Sequence, residues 1–536
     1  MKHFLLSIIL VVVAIVAKAQ APQLLNDSYT GTNQIYGAYN LYFGAMYNGK
    51  YYYNINDSIG YVLYATDGTA AGTQLIKRVP QIVNLIVYNN DLYFGFIDAA
   101  LGASLWKTNG TVAGTQLIKS FGGTLYAPHS FYVVNNKLIF CTSKYTTGDY
   151  PKQLYVTDGT ATGTTILDST LYDMGFEYGG LNGKAIFSAS ATKDTSYLKK
   201  ELYITDGTTA GTTLVKDITA GSAGSNPSGF INYNGKVYFG ANNGITGTEL
   251  YVTDGTGLGT YMVKDINTGS AESFFSLRAS VHNGKLYFGA NNGINGAEPW
   301  LSDGTAAGTQ LLTDVNSGNS GSFPASFLSF NNKLFFNADD GIHGYEIWTS
   351  DGVSNTSLLM DINSGANSGV YSLMPQNIMC GSKLYFDAQN TNNNIEPWIT
   401  DGTTANTTTL GEINPSASYG SLDFETRFVQ INGKVLFRAT SPLVGSEVFY
   451  VNETCIPASL SVSSVNVATI YPNPTNDAFT IVTTNVGETL IITDLAGKQV
   501  YSTALTSVTQ QINAELNAGI YLVKVGNNKI QKLIVE

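Results

Sequence analysis

The sequence predicts an all-β chain, and three observations carry that prediction. Its 536 residues include 34 Tyr, 25 Phe and 56 Gly but only 12% charged residues, a composition suited to short strands and tight turns. A segment with four strand-like stretches recurs along most of the chain, at intervals of 42 to 50 residues. The final stretch, from Ile470, alternates differently and carries no trace of that repeat. Long amphipathic stretches rich in Glu, Lys and Leu are missing, which disfavours a helical bundle.

Residues 1–19 read as a signal peptide. Lys2 and His3 open it, Phe4 to Val16 form an apolar run, and Ala17-Lys18-Ala19 offers small residues for a cut between Ala19 and Gln20. The run is too short to span a bilayer comfortably, so the protein is not expected to cross a membrane. No Cys follows the run to accept a lipid. Without Lys2 and Lys18 the mature chain carries 26 basic and 39 acidic residues, a net charge of −13. Such a balance argues against nucleic acid and against anionic lipid surfaces as partners. Cys141, Cys380 and Cys455 are too few and too scattered for a disulfide framework or a zinc site. One bridge is possible, and the spacing selects no pair.

The repeat fills residues 20–455. Its register is an Asp-Gly step at Asp67, Asp158, Asp206, Asp254, Asp303, Asp351 and Asp401, with Asn109 in the same role. Upstream of each step lies an Asn-Gly-Lys-like turn and an aromatic strand, as in "NGKVYFG" from Asn234; nine such turns occur, the last at Asn432. In the fifth unit "GFINY", "KVYFGA", "ELYVTD" and "TYMVKDI" read as four strands. Four strands in about 45 residues is the signature of a propeller blade. The position three before the Asp-Gly step holds Tyr64, Trp106, Tyr155, Tyr203, Tyr251, Trp300, Trp348 and Trp398, and so every Trp in the chain. These rings are read as filling the space between blades, in preference to a ring of sugar-binding platforms. The "TDGTAAGT" turn is read as backbone geometry, since a turn is needed eight times and a catalytic Asp is not.

The ninth unit supplies three strands and stops at Cys455. The mature N-terminus, "QLLNDSYTGTNQ", matches the fourth-strand segment "QLLTDVNSGNSG" from Gln310. A strand at Gln23 to Asn26 is therefore expected beside Val448 to Val451, closing the last blade and removing its open edge. This counts nine blades; an eight-bladed ring with one irregular unit is the alternative. The third and fourth units are the least regular, around Thr142 to Lys152 and Ser188 to Lys200.

With "ELYVTDGTGLGT" and "EPWLSDGTAAGT" in view, the region resembles the ELWxTDGT-repeat secreted proteins, a resemblance that implies architecture and little chemistry. Residues 456–469 read as a linker. Beyond it "YPNPT", "ITDLAGKQV", "GIYLVKV" and "KIQKLIVE" give short alternating strands of a small antiparallel sandwich. Residues 470–536 resemble the type A sorting domain of the type IX (Por) secretion system of Bacteroidota, with Pro472, Asn473, Pro474, Gly497 and Lys498 in its motifs. The resemblance implies passage across the outer membrane through a translocon. It also implies removal of the domain, with a sortase as partner, and then release or attachment at the cell surface.

Three sets of residues could carry chemistry. The turns "DINTGS", "DVNSGN" and "DINSGA" place Asp265 and Asn267, Asp314 and Asn316, and Asp361 and Asn363 at the alternating spacing of a calcium loop, although the full ligand count is missing. The loops "NNGITG" and "NNGING", with Asn242, Asn243, Asn291 and Asn292, are expected on the same face and form a polar rim around a channel. Glu201, Glu249, Glu298, Glu346, Glu396 and Glu447 recur five positions before the register, and a pairing with turn lysines such as Lys236 or Lys285 is the simplest account. His129, His282 and His343 sit in unrelated contexts, and no catalytic residue is assigned. The reading is an exported binding or adhesion propeller for a glycan or protein ligand, without a cofactor other than calcium. A polysaccharide lyase or glycosidase, or a structural surface or matrix component, are the alternatives.

Overall fold

A computed structural model describes residues 21–535 except 27–36, 58–59, 81, 83, 123–125, 144–151, 173, 176, 193–198, 222, 275, 371–378, 393, 415–420, 423–426, 454–468, 472–474, 476–477, 483–488, 495–497, 508 and 526–530. The expected signal peptide, with Ala19 and Gln20, lies outside the described residues. The chain divides into two compact units, 1–455 and 456–536.

The first compact unit contains nine antiparallel four-stranded arrangements in chain order. We number these blades 1 to 9: residues 37–78, 85–120, 126–168, 179–216, 228–264, 279–311, 325–360, 379–409 and, last, 429–452 with Gln23–Asn26. The strand Gln23–Asn26 lies antiparallel to Gly445–Asn452, with Gln23 opposite Tyr450, Leu24 opposite Phe449 and Asn26 opposite Val448. The irregular third and fourth units are complete four-stranded sheets like the rest. Eight of the nine blades turn from first to second strand through two residues at positive φ, such as Asn48 (φ 48°) and Gly49 (φ 72°), and blade 8 uses Gly381 (φ 61°) alone. Asn-Gly and Asn-Asn tolerate that region, and its twist matches the flanking strands.

Hydrophobic packing closes the ring independently of the hydrogen bonds. Second strands such as "KVYFGAN" are buried on both sides, so each blade feeds two interfaces. Tyr52 and Phe94 share one cluster between blades 1 and 2, and Phe239 and Tyr251 share one with Ile186 between blades 4 and 5. The series ends with Tyr53 and Val62 of blade 1 packed on Val429 and Leu436 of blade 9. The eight aromatic residues before the Asp-Gly step, with Phe449 in blade 9, all join these interblade clusters. Burial of large rings at one position per blade is the main stabilising term available to a chain with so few charges.

The "TDGT" turn is self-contained. In blade 1 Asp67 Oδ1 accepts from the Thr69 amide (2.8 Å) and hydroxyl (2.7 Å), Thr69 Oγ1 accepts from Gly72 N (2.9 Å), and Thr66 and Thr73 hydroxyls pair at 2.7 Å. The second Gly is required by contact: a Cβ on Gly72 would fall 2.0 Å from Asp67 Oδ1. These bonds hold the exposed Asp67 carboxyl below its ordinary pKa.

The expected pairing of the repeated glutamates with turn lysines does not form. Glu249 stands opposite Ala241, at the far end of the strand that begins with Lys236. Five residues of strand put them about 17 Å apart along the hairpin. Lys137, Lys333 and Lys434 instead donate to the carbonyls of Gly207 (3.2 Å), Gly402 (2.9 Å) and Gly68 (2.6 Å) in the following blade's turn. Lys236 lies 5.8 Å from the ring centre of Tyr261.

The second compact unit is a sandwich of a three-stranded sheet (Thr469–Tyr471, Ala478–Val482, Thr509–Asn513) and a four-stranded sheet (Thr489–Thr493, Gln499–Ala504, Gly519–Val525, Gln531–Val535). Phe479, Ile481, Leu490, Ile492 and Val523 fill the space between them. Thr469, expected in the linker, pairs with Val482 and belongs to the domain. Pro472, Asn473, Pro474 and Gly497 lie outside the described residues; Lys498 closes a turn, its amide donating to Asp494 Oδ1 at 2.9 Å. Cys380 is disulfide-bonded, whereas Cys141 is a buried free thiol whose pKa desolvation pushes up to about 11.

Candidate functional site

In an antiparallel blade the loop between second and third strands and the connector to the next blade emerge on one face. The repeated glutamate stands at that end of the third strand and holds the connector. Glu249, fully buried, accepts from Ile266 N (2.8 Å) and Ser273 Oγ (2.6 Å); Glu298 does the same with Val315 N (2.9 Å) and Ser322 Oγ (2.6 Å). The connector serine then reaches the next blade, since Asn291 N donates to Ser273 O (2.8 Å) and Asp339 N to Ser322 O (3.0 Å). Burial raises the Glu249 carboxyl to about 7, against the hydrogen bonds from Ser273 and the connector amides that lower it. Glu249 and Glu298 therefore act as interblade fasteners.

A cavity of about 420 Å³ opens on this face over blades 4 and 5 and the connectors beside them. Its lining includes Glu177, Lys200, Ser225, Phe230, Asn242 and Glu272. The wall is the connector segment 224–228, clamped from below by Glu201, which accepts from Ser225 N at 2.8 Å and Ser225 Oγ at 2.5 Å. Burial raises the Glu201 pKa, opposed by Ser225 and Ile218. Gly224 lets the wall approach the Lys199–Lys200 backbone, because a Cβ there would meet Lys199 C at 2.5 Å. Glu177 Oε2 accepts from Gly229 N (2.6 Å) and Glu272 Oε1 from Thr248 Oγ1 (3.0 Å), so both carboxylates are held in place. The result is a concave, polar surface with one ammonium, two carboxylates and one aromatic face, of a size that suits a small ligand.

The sequence candidates distribute unevenly around it. Asn242 lines the cavity, at the end of its strand, while its Oδ1 accepts from Gly244 N at 2.7 Å within its own loop. Asn243, Asn291 and Asn292 build their own loops: their Oδ1 atoms accept from Ile245 N (2.9 Å), Gly293 N (2.7 Å) and Ile294 N (2.9 Å) respectively. Asn267, Asn316 and Asn363 turn back on their connectors, their Nδ2 groups donating to Glu272 O, Gly321 O and Ser368 O, each at 3.1 Å. Among the described residues no group of three His, Cys, Asp or Glu is placed to hold a metal ion. Sequence reasoning missed Glu177, Lys200 and Glu272. The available signal was irregularity: residues 190–200 separate the middle strands of blade 4, where only 243–247 do so in blade 5.

His129, His282 and His343 are far apart in the repeat and serve local structure. Desolvation holds the buried His129 down at about 4. His282 Nδ1 lies 2.8 Å from Ser329 Oγ, and His343 Nδ1 lies 2.8 Å from Asp340 Oδ2.

Residues 469–536 match the family described as secretion system C-terminal sorting domain. The chain is thus a type IX secretion cargo, delivered across the outer membrane to the cell surface or extracellular space, and its tail engages that system. Among the described residues no helix is long and apolar enough to cross a membrane. No curated protein sequence matches the chain. Among solved structures it is similar to PorZ of Porphyromonas gingivalis, a surface component of the type IX secretion system. That match has 12% identity and a TM-score of 0.35, over 92% of this chain and 75% of PorZ. A puromycin hydrolase matches at 12% identity and TM-score 0.37, over 68% of this chain and 58% of that one. A Mycobacterium tuberculosis puromycin-hydrolyzing peptidase matches at 13% and 0.36, over 66% and 57%. The chain spans less than two thirds of either peptidase.

Proposed function

We propose that the nine-bladed unit is a non-catalytic binding or adhesion module, working outside the cell after signal and sorting segments are removed, with a glycan-sized polar ligand seated over blades 4 and 5. The single observation behind this reading is the cavity in which Lys200, Glu177 and Glu272 converge beside Phe230. Fixed hydrogen-bonding groups of both charges around one apolar ring suit a sugar bearing an amino or carboxylate substituent. The repeated glutamates support a non-catalytic role, because Glu201, Glu249, Glu298 and Glu396 each accept from a connector amide and a connector serine. Protein ligands reach the same face through the polar loop rim.

The test is an oligosaccharide array with neutral, amino and uronic sugars, followed by calorimetry on any hit and by analysis of the supernatant for products. Saturable binding that falls at least tenfold in Lys200→Ala and Glu272→Ala, without product, supports the reading. Reducing ends or unsaturated sugars would instead establish a polysaccharide hydrolase or lyase. Absence of any saturable ligand would favour a structural surface or matrix component.

A further inference from the structure

Blade 7 breaks the fastening pattern in one place. The connectors of blades 5, 6 and 7 begin with Asp265, Asp314 and Asp361, and in all three the Oδ1 atom is buried without a hydrogen-bond partner. The other oxygen is used where it can be: Asp314 Oδ2 accepts from Asn295 Nδ2 at 2.9 Å and Asp361 Oδ2 from Gly365 N at 3.2 Å. In blades 5 and 6 the fastening glutamate is satisfied by the hydroxyl of Ser273 or Ser322, 24 positions downstream. Blade 7 has Val370 at that spacing from Glu346. Glu346 is 0% exposed, its Oε1 accepts from Asn363 N (3.1 Å) with the Ile362 and Gly369 amides close by, and its Oε2 is left without a hydrogen-bond partner. The carboxylate is pressed against the second leg of the connector, where a Cβ on Gly369 would fall 2.4 Å from Oε1 and 2.7 Å from Oε2.

Two buried, unpartnered carboxylate oxygens thus come from blade 7, one from Glu346 on its third strand and one from Asp361 at the start of its connector. An unmade hydrogen bond on a buried charged group is costly, and a native structure with such a group calls for something that fills it. The neighbouring imidazole does not: His343 Nδ1 is engaged by Asp340, and the field of Asp361 and Glu346 adds to the rise in its pKa. The two unpartnered donors are carboxylate oxygens, which selects a hard cation over a thiolate- or imidazole-loving metal.

We propose that Glu346 Oε2 and Asp361 Oδ1 hold a divalent cation of the calcium class, with water and main-chain carbonyl oxygen completing its shell. Two protein carboxylates place the site among weak extracellular calcium modules, with Kd on the order of 10⁻⁴–10⁻³ M. The cation takes over in blade 7 the fastening that serine performs in blades 5 and 6. The inference is independent of the ligand proposed for the cavity.

The test uses the full chain dialysed against chelator. Terbium luminescence sensitised by Trp348, two residues from Glu346, is titrated and then competed with calcium, and melting is followed with and without calcium. The expected result is saturable luminescence displaced by calcium, and a melting temperature raised by about 1–2 °C at ten times Kd. Asp361→Asn and Glu346→Gln lower the apparent affinity at least tenfold. Val370→Ser, which restores the hydroxyl donor without touching a ligand, also weakens calcium binding while the variant folds normally. Absence of luminescence and of any calcium effect on melting overturns the proposal. Unchanged calcium affinity in Asp361→Asn and Val370→Ser overturns it equally.

Discussion

Leu25 is the sharpest place to test closure of the ring. It is 4% exposed and packs with Tyr51, Ile55, Val62 and Val448 between blades 9 and 1, while its neighbour Leu24 packs on the cluster between blades 8 and 9. One four-residue strand therefore touches two interfaces. Leu25→Ala removes a buried isobutyl group and leaves a cavity, for which losses of about 2–5 kcal/mol are usual. The lower half of that range applies here, about 2–3 kcal/mol, because a terminal strand relaxes more easily than a central one. Excision of residues 21–26 has a second effect: it bares the edge of the strand Gly445–Asn452, whose pairing groups then seek another chain. Urea unfolding followed by Trp fluorescence measures the first effect and size-exclusion chromatography the second. A Leu25→Ala change below about 0.5 kcal/mol, the range of ordinary surface substitutions, would refute the packing argument. A truncated chain that stayed monomeric with unchanged melting would refute closure itself.

Three further outcomes follow from the same reasoning. Glu249→Leu leaves Ile266 N and Ser273 Oγ without their acceptor and is expected to cost about 1–3 kcal/mol by urea titration at pH 6, whereas Glu249→Gln keeps an acceptor for the amide and costs less than about 1 kcal/mol. His129 is 7% exposed and is held by burial at about 4, below its ordinary 6.5. The unfolded chain therefore binds the extra proton first: stability from this group is complete above pH 6.5 and is lost as pH falls towards 4, by about 3 kcal/mol at most. His129→Gln should flatten that part of the stability profile measured between pH 4 and 7. Gly72→Ala forces a Cβ against the Asp67 carboxylate and should lower stability by about 1–3 kcal/mol in a thermal melt, with Gly49→Ala as a control for backbone strain alone, since a Cβ there meets nothing within 4 Å.

The candidate site was far less legible than the fold. Asn242 was marked by its place in a repeated loop, and it does line the cavity. Its companions Asn243, Asn291 and Asn292 were marked by the same pattern and turn out to satisfy their own loops. A repeated residue is by construction a residue every blade needs, so repetition selects for architecture. Glu177, Lys200 and Glu272 repeat nowhere, and three separate stretches of chain bring them to one surface. The glutamate row shows the same limit. Its period was visible, but its partners were assigned to lysines at the wrong end of a hairpin, because sequence spacing does not say which end of an antiparallel pair two residues occupy.

What the sequence determined alone is the local and periodic part: strands by alternation, hairpins by Asn-Gly and Asn-Asn turns, the aromatic position that fills each blade interface, the likeness of the first strand to a fourth strand, and a sorting domain at the end. These follow from short-range sterics and from the burial of large side chains at a fixed spacing, which every blade meets in the same way. Tertiary structure alone decided how the glutamates fasten one blade to the next, where the cavity opens, and that a carboxylate oxygen of Glu346 is buried without a hydrogen-bond partner in blade 7. Those features depend on groups from different blades meeting across a loop, and a contact of that kind has no period in the chain.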